Sequence, residues 1–358
     1  PLIARWFTLV SDLIVKTDWK FAPADVDNPD AVAAADFLTT CVKDMRDRAG
    51  NATPWTDVLR SELTALGYGW ALMEITYKRR RGDTGDRGTS SDYDDGAIGW
   101  ASIDLRAQTT LQRWEIRADD EVVTGFYQLA PMDGKVRYIP AEKFVEFIPQ
   151  PDNGSPEGLC YLAACYESWR DRRKYLAIQG IGLSRYLAGI PVIRVPGAVL
   201  TAGTAADLAT KNDYIAIGTR IKQDDQAFVM LPSNRDKDGN LLYDISLLSA
   251  GGDKPPDVLP IIEYCDRMML TNLWVQFLSL QQKSGIGAGT ASTDATSTME
   301  SAVEGVMDSL AEVWQEKVRR LCGFNGIPVA IQPRVVHGKL DKPKLASLGQ
   351  FVRDAGID

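Results

Sequence analysis

The chain has 358 residues, 45% hydrophobic and 25% charged, a globular composition with apolar material for two or three domains. Lys and Arg number 40 against 48 Asp and Glu, a formal net charge of −8. This argues against a sequence-independent DNA binder held by phosphate contacts, though not against a surface past which DNA slides. Cys41, Cys160, Cys165, Cys265 and Cys322 form no CxxC pair and read as small core residues in a reducing compartment. No signal peptide is visible and the chain starts at Pro1. The longest uncharged apolar run, 268–280, is short of the ~20 residues a bilayer span needs, so no membrane contact is expected.

In chain order, residues 29–48 carry Val32, Ala35, Phe37, Leu38, Val42 and Met45 at helical spacing, with Asn28 or Asp30 to cap the start. A second helix is predicted over 54–66, with Thr53 as N-cap, Pro54 first and Gly67 ending it. From 68 to 148 come six short segments rich in β-branched and aromatic residues: GWALMEITYK, GWASI, QRWEIR, EVVTGFYQL, KVRYI and KFVEFI. The stretch RRRGDTGDRGTSSDYDDG between the first two has no apolar periodicity and predicts a mobile loop. The fold class is α+β, beginning with a domain built on an antiparallel meander. A long helix is predicted over 159–188, then a small mixed region with strands at PVIRV, QAFVML and LLYDISLL and a helix near 204–217. A second long helix, 257–282, is apolar almost all round and is expected to be packed on most sides. The polar stretch QQKSGIGAGTASTDATSTMESA follows. A third long helix, about 297–322, carries Met299, Val303, Val306, Leu310, Val313, Trp314, Val318 and Leu321 on one face.

Catalytic signals are weak. Gly285, Gly287 and Gly289 ahead of a helix could cradle a phosphate, but a helix precedes them and no Lys-Ser/Thr follows. The single His337 sits in a polar tail, where a surface histidine is expected rather than a zinc ligand or triad member. NRDKDGN lacks the twelfth-position Glu of a calcium loop, because Ile245 stands there; a turn at Asp238-Gly239 is expected. No catalytic residue, metal site or cofactor is assigned. Two charge patterns stand out. Glu300, Glu304, Asp308, Glu312 and Glu316 recur every four residues, a spacing that costs an isolated helix ~0.2–0.5 kcal/mol per like-charged pair. They form either a solvated face or a surface meant to be acidic. Arg170, Arg172, Arg173 and Lys174 make a basic band on the first long helix, suited to acids of a neighbouring subunit or docked protein.

The order of these elements resembles the portal proteins of tailed bacteriophages, in the Mu-like branch. Three stretches carry the resemblance: LGYGWALMEITYK from Leu66, NGSPEGLCYLAACYESWRDRRKYLAIQGIGLSRYLAGIPV, and the polar loop between two helices followed by FNGIP. The resemblance implies a wing over 1–158, a stem helix at 159–188, a clip at 189–252 and a second stem helix at 253–282. It further implies a tunnel loop at 283–297, a long wing or channel helix at 298–326, and the start of a crown or tail at 327–358. Lys283, Ser284, Gly285, Ile286, Gly287, Gly289 and Asp294 would then face a channel. The implied assembly is a homo-oligomeric ring, usually of twelve subunits, at one capsid vertex in the virion, put together in the host cytoplasm. Double-stranded DNA would pass through it, and the major capsid protein, a packaging motor (terminase) and a head-completion or adaptor protein would be its partners. Two alternatives are a nucleotide-binding enzyme using the 285–289 glycine loop and another ring-shaped head–tail connector.

Overall fold

Helix α1 (Leu2–Val15) opens the chain and buries Trp6, Val10, Ile14 and Val15 along one stripe; the sequence expectations have no element there. The structure, a computed structural model, describes residues 2–47, 50–86, 88–188, 190–222, 235, 237–239, 241–248, 257–275 and 288–340. Pro1–Tyr166 with Arg267–Asp358 form one compact unit, and Glu167–Asp266 form another.

In the first unit, β1 (Trp19–Ala22) leads to α2 (Pro29–Lys43), whose first turn is capped by the Asn28 side chain accepting from the Asp30 amide. The expected 54–66 helix divides. α3 (Trp55–Glu62) starts one residue late, with Pro54 in extended conformation at the N-cap position, and α4 (Ala65–Tyr68) follows. Gly69, not Gly67, ends it, at φ +90°, a conformation open to glycine at no steric cost.

The six predicted strands are all present: β2 (Ala71–Arg79), β3 (Ile98–Arg106), β4 (Leu111–Ile116), β5 (Val123–Leu129), β6 (Val136–Pro140) and β7 (Phe144–Phe147). They form two sheets rather than one meander. The order β4-β5-β6 is a meander, whereas β7 returns to pair with β2 in the order β3-β2-β7. Trp70, Leu72, Phe126, Ile139 and Phe144 form a core cluster drawn from both.

The expected mobile loop between β2 and β3 is held in place. Lys78 forms a buried ion pair with Asp44 at 3.1 Å, both side chains at most 2% exposed. Asp44 also accepts from the Ser91 hydroxyl and the Asp92 amide, and Lys78 donates to the Ser90 carbonyl. Arg80 lies over the rings of Phe37 and Tyr93 and pairs with Asp95. Lack of apolar periodicity misleads here because the anchors are charged. Asp44 and Lys78, 34 residues apart, are desolvated only once they meet each other and the Asp92 amide, 48 residues from Asp44, arrives.

In the second unit, α5 (Tyr166–Ala188) follows a short 3-10 turn, Tyr161–Cys165, that belongs to the first. Then come β8 (Ile190–Arg194), α6 (Gly197–Thr201), α7 (Ala205–Lys222) and β9 (Asp244–Leu248). β8 and β9 pair antiparallel, and Tyr214 of α7 stacks on Tyr243 at 5.7 Å. Gly239 sits at φ +86° in the expected turn. The predicted QAFVML strand lies outside the described residues.

Helix α8 (Leu259–Asn272) stops well short of the expected 282; residues 276–287 lie outside the described residues. Helix α9 (Ala288–Phe324) starts about ten residues before the expected 297. Its first turns, AGTASTDATS, lack a hydrophobic stripe. Propagating an existing helix costs far less than nucleating one, so a strong amphipathic segment extends into weakly helical neighbours. Along the first unit, α9 serves two cores. Met299, Val303, Val306, Met307 and Leu310 meet α1 and α3. Trp314, Val318, Leu321 and Cys322 meet α2, β2, β3 and β7. Fully burying such a side chain contributes about 1.5–3 kcal/mol. Finally β10 (Arg334–His337) pairs with β1, returning the chain to its N-terminal region.

Candidate functional site

The acidic ridge on α9 is the feature to build from. The core side is fixed by the apolar stripe, and a helix advances 100° per residue, so residues four apart drift by about 40°. Glu300 and Glu304 are accordingly half-buried, whereas Asp308, Glu312 and Glu316 are exposed. Asp308 accepts from His337 Nε2 at 3.0 Å, while His337 Nδ1 lies 2.9 Å from the Gly338 carbonyl oxygen. Both ring nitrogens thus face oxygen atoms. His337 is not the expected surface histidine. It is largely buried, tilted against Trp19 at 5.3 Å. Glu316 is exposed and contacts the neighbouring Lys317 at 3.2 Å.

Beneath α9 lie two carboxyls that sequence reading missed. Glu62 of α3 is fully buried and accepts from the Trp314 indole at 2.6 Å, while its Oε1 has no partner among the described residues. Burial pushes its pKa up to about 8, against the lowering effect of the indole N–H. Glu146 of β7 is pushed up to about 7 by burial, with Lys317 opposing. Only Glu62 carries a sequence signal: it sits four residues after Val58 and three after Leu59, on the apolar side of its helix.

The end of α9 is tied to the sheet by the FNGIP motif. Asn325 donates to the Ile98 carbonyl and accepts from the Ile98 amide, extending the edge of β3 as a backbone would. The other two motifs meet each other. A Cβ on Gly69 would lie 2.3 Å from the Gly158 carbonyl oxygen, and one on Gly158 would lie 2.4 Å from the Gln150 carbonyl oxygen. The Cys160 thiol donates to the Gly67 carbonyl. These glycines permit backbone contact between the start of β2 and the segment leading to α5.

The basic band on α5 divides. Arg172 pairs with Asp266 within the second unit at 2.6 Å, and Arg170 reaches the adjacent Asp171 at 3.2 Å. Arg173 lies over the Trp169 ring at 5.0 Å, and Lys174 is exposed. Apolar residues of this helix stand exposed on more than one side. Trp169, Leu176, Ile178 and Ile181 are 37–54% exposed, while Asp171, Arg172, Tyr175 and Gln179 are the half-buried ones.

Of the expected loop residues, Lys283, Ser284, Gly285, Ile286 and Gly287 lie outside the described residues. The backbone of Gly289 and Asp294 is helical, within α9, so these two are not part of a loop. Among the described residues no cluster could hold a metal ion, and no helix is long and apolar enough to cross a membrane.

The family model of the portal protein of Mu bacteriophage matches residues 9–356. The fold is similar to a chain of the native gene transfer agent virion, at 12% identity and TM-score 0.53, covering 100% of this chain and 86% of that one. It is also similar to a chain in the C12-symmetric neck of the native gene transfer agent particle, at 12% identity and TM-score 0.55, with coverage of 100% and 86%. An HK97-family phage portal protein from Corynebacterium diphtheriae aligns at 12% identity and TM-score 0.44 over 97% of this chain and 94% of its own. No curated protein matches by sequence. With all but its first eight and last two residues matched by one family model, the chain belongs to the Mu-type phage portal proteins.

Proposed function

We propose that the chain assembles as a ring at one capsid vertex, encloses the channel for packaging and ejection of double-stranded DNA, and docks head-completion proteins. The family match over 9–356 is the observation that carries this reading. The C12 symmetry of the gene transfer agent neck supports a count of twelve. The exposed apolar residues of α5 support packing against a neighbouring subunit. In this reading residues 1–158 form the wing, α5 and α8 belong to the stem, and 189–252 is the clip. The stretch around 283–287 lines the channel, shorter than the expected 283–297 because α9 begins at Ala288. The major capsid protein, the packaging terminase and an adaptor protein are the proposed partners. ATP hydrolysis is assigned to the motor, and no catalysis to this chain.

The ridge then has two roles. Glu300, Glu304 and Asp308 border the channel and repel phosphates. Glu312 and Glu316 pair with basic groups across the subunit boundary, for which Arg173 and Lys174 are the freest of the α5 band. Sizing of the purified chain, with an image down the ring axis, tests the assembly: a ring near twelve times 39.4 kDa is expected, and a stable monomer would overturn it. Glu300→Lys with Glu304→Lys should leave the ring intact and stall DNA passage through added phosphate contacts. Glu312→Lys with Glu316→Lys should weaken the ring. ATPase activity from the purified chain, abolished by Lys283→Ala, would overturn the structural role.

A further inference from the structure

We propose that Trp274 is a conformational hinge, at which α8 either stops, as seen here, or continues as helix through residues 273–275. Three observations lead to it.

The first is a conflict between sequence and structure. Nothing between Ile261 and Val275 would break a helix: there is no glycine and no proline. Yet α8 ends at Asn272. The second is how it ends. The Trp274 amide donates to the Thr271 carbonyl at 3.2 Å, and the Val275 amide reaches back to the Leu270 carbonyl at 2.9 Å. Those two bonds define the helix stop whose left-handed position is ordinarily glycine. Here that position is Trp274, at φ +60°. The other non-glycine residues with positive φ among the described residues are Glu121, Asn153 and Ala202. Each is smaller or more flexible, and none is aromatic. A bulky side chain in this region is a true outlier, sustained only by its surroundings.

The third observation is what sustains it. The Trp274 ring meets Tyr161 edge-on at 4.6 Å and Trp6 of α1 at 6.4 Å. Leu273 and Val275 on either side are fully buried in the same core. The 3-10 turn carrying Tyr161 also grips the last turn of α8. The Cys165 thiol donates to the Met269 carbonyl, and Asn272 Nδ2 donates to the Ala164 carbonyl at 2.8 Å. The contact is imperfect on one side, because the buried Trp6 indole N–H has no acceptor among the described residues.

Local preference therefore favours a continuing helix, and tertiary packing imposes a stop. Two opposed influences on three residues make a two-state element. Tyr161 lies five residues before α5, so displacement of the start of α5 loosens the ring cluster and releases the stop. The helix then gains part of a turn, and the chain leaves Val275 in a new direction.

Hydrogen exchange of the full chain over residues 270–275 separates this from a merely structural stop, with no reference to ring or DNA. Trp274→Gly and Trp274→Ala both remove the indole, but glycine accepts the left-handed position and alanine favours helix. A hinge makes the alanine variant exchange more slowly than the glycine variant, by about tenfold at the two terminal amides. A fixed stop gives the reverse, because alanine strains the bend and frays it. Tyr161→Ala, which leaves residue 274 unchanged, is the second test. Slower exchange than wild type supports the hinge, and faster or equal exchange overturns it, even if the Trp274 variants fail to fold.

Discussion

Helices α9 and α5 are both long and both carry aliphatic and aromatic residues, but they finish their packing differently. Along α9, Met299, Val303, Leu310, Trp314, Val318 and Leu321 are fully buried by the chain's own α1, α2, α3 and sheet strands. Along α5, the apolar residues stand out and the half-buried stripe is polar. The remaining second unit follows α5: Leu200, Leu208, Ile215, Leu259, Ile261 and Tyr264 are exposed, and few of its described side chains are buried. The first unit thus holds three buried core clusters, even though residues such as Met132 and Val329 stay exposed. Few described side chains of the second are buried, and its apolar surface is one that water penalises and a neighbour would cover. Substitutions should therefore cost fold stability in the first unit and assembly in the second.

The sharpest break is Trp314→Ala. It removes the ring packed against Trp55 and Trp100 and deprives Glu62 of its donor, so denaturant unfolding should show a loss of about 3–5 kcal/mol. Gly158→Ala comes next. Its Cβ would press on Ile148 and the Gln150 carbonyl, for an expected loss of about 1–3 kcal/mol in the same measurement. Restoration by no second-site change at Ile148 would be consistent with the backbone clash dominating.

Glu62→Gln should stabilise, in a pH-dependent way. The ordinary value for this carboxyl is 4.5 and burial raises it to about 8. Below pH 4.5 the group is protonated in both states and carries no penalty. Between there and about 8 the unfolded chain releases the proton while the folded chain keeps it, so stability falls as pH rises. Above about 8 the penalty is complete. The variant's Tm should exceed wild type by ~5 °C near pH 8 and match it near pH 4.5. A gain that is equal at both values would show that the carboxyl is not the titrating group.

The smallest effect on chain stability belongs to Ile178→Glu on α5, within ~0.5 kcal/mol for the dissociated chain. The same substitution should abolish the large assembly in sizing. If instead it unfolds the chain and leaves assembly alone, the contrast between the two helices fails.

The long apolar stripe of α9, the six strands and the α2 cap were legible in the sequence, because hydrophobic periodicity and Asn28 act over a few residues. So were the motif stretches from Leu66, at Asn153 and around Asn325, although not the contacts they make. Only the folded chain brings Gly69 against Gly158 and Asn325 against Ile98. The return of β10 to β1, the pairing of β7 with β2, and the clamp of Asp44 on Lys78 were not legible either. Each joins groups far apart in sequence, and neither partner shows a local preference for the other. Trp274 gives the opposite case, a residue whose local preference is plain and overruled. Sequence determined which segments carry an apolar face and hence want burial. Tertiary packing decided which of those faces the chain covers itself, because burial depends on what arrives opposite, and that is not written within one helix turn.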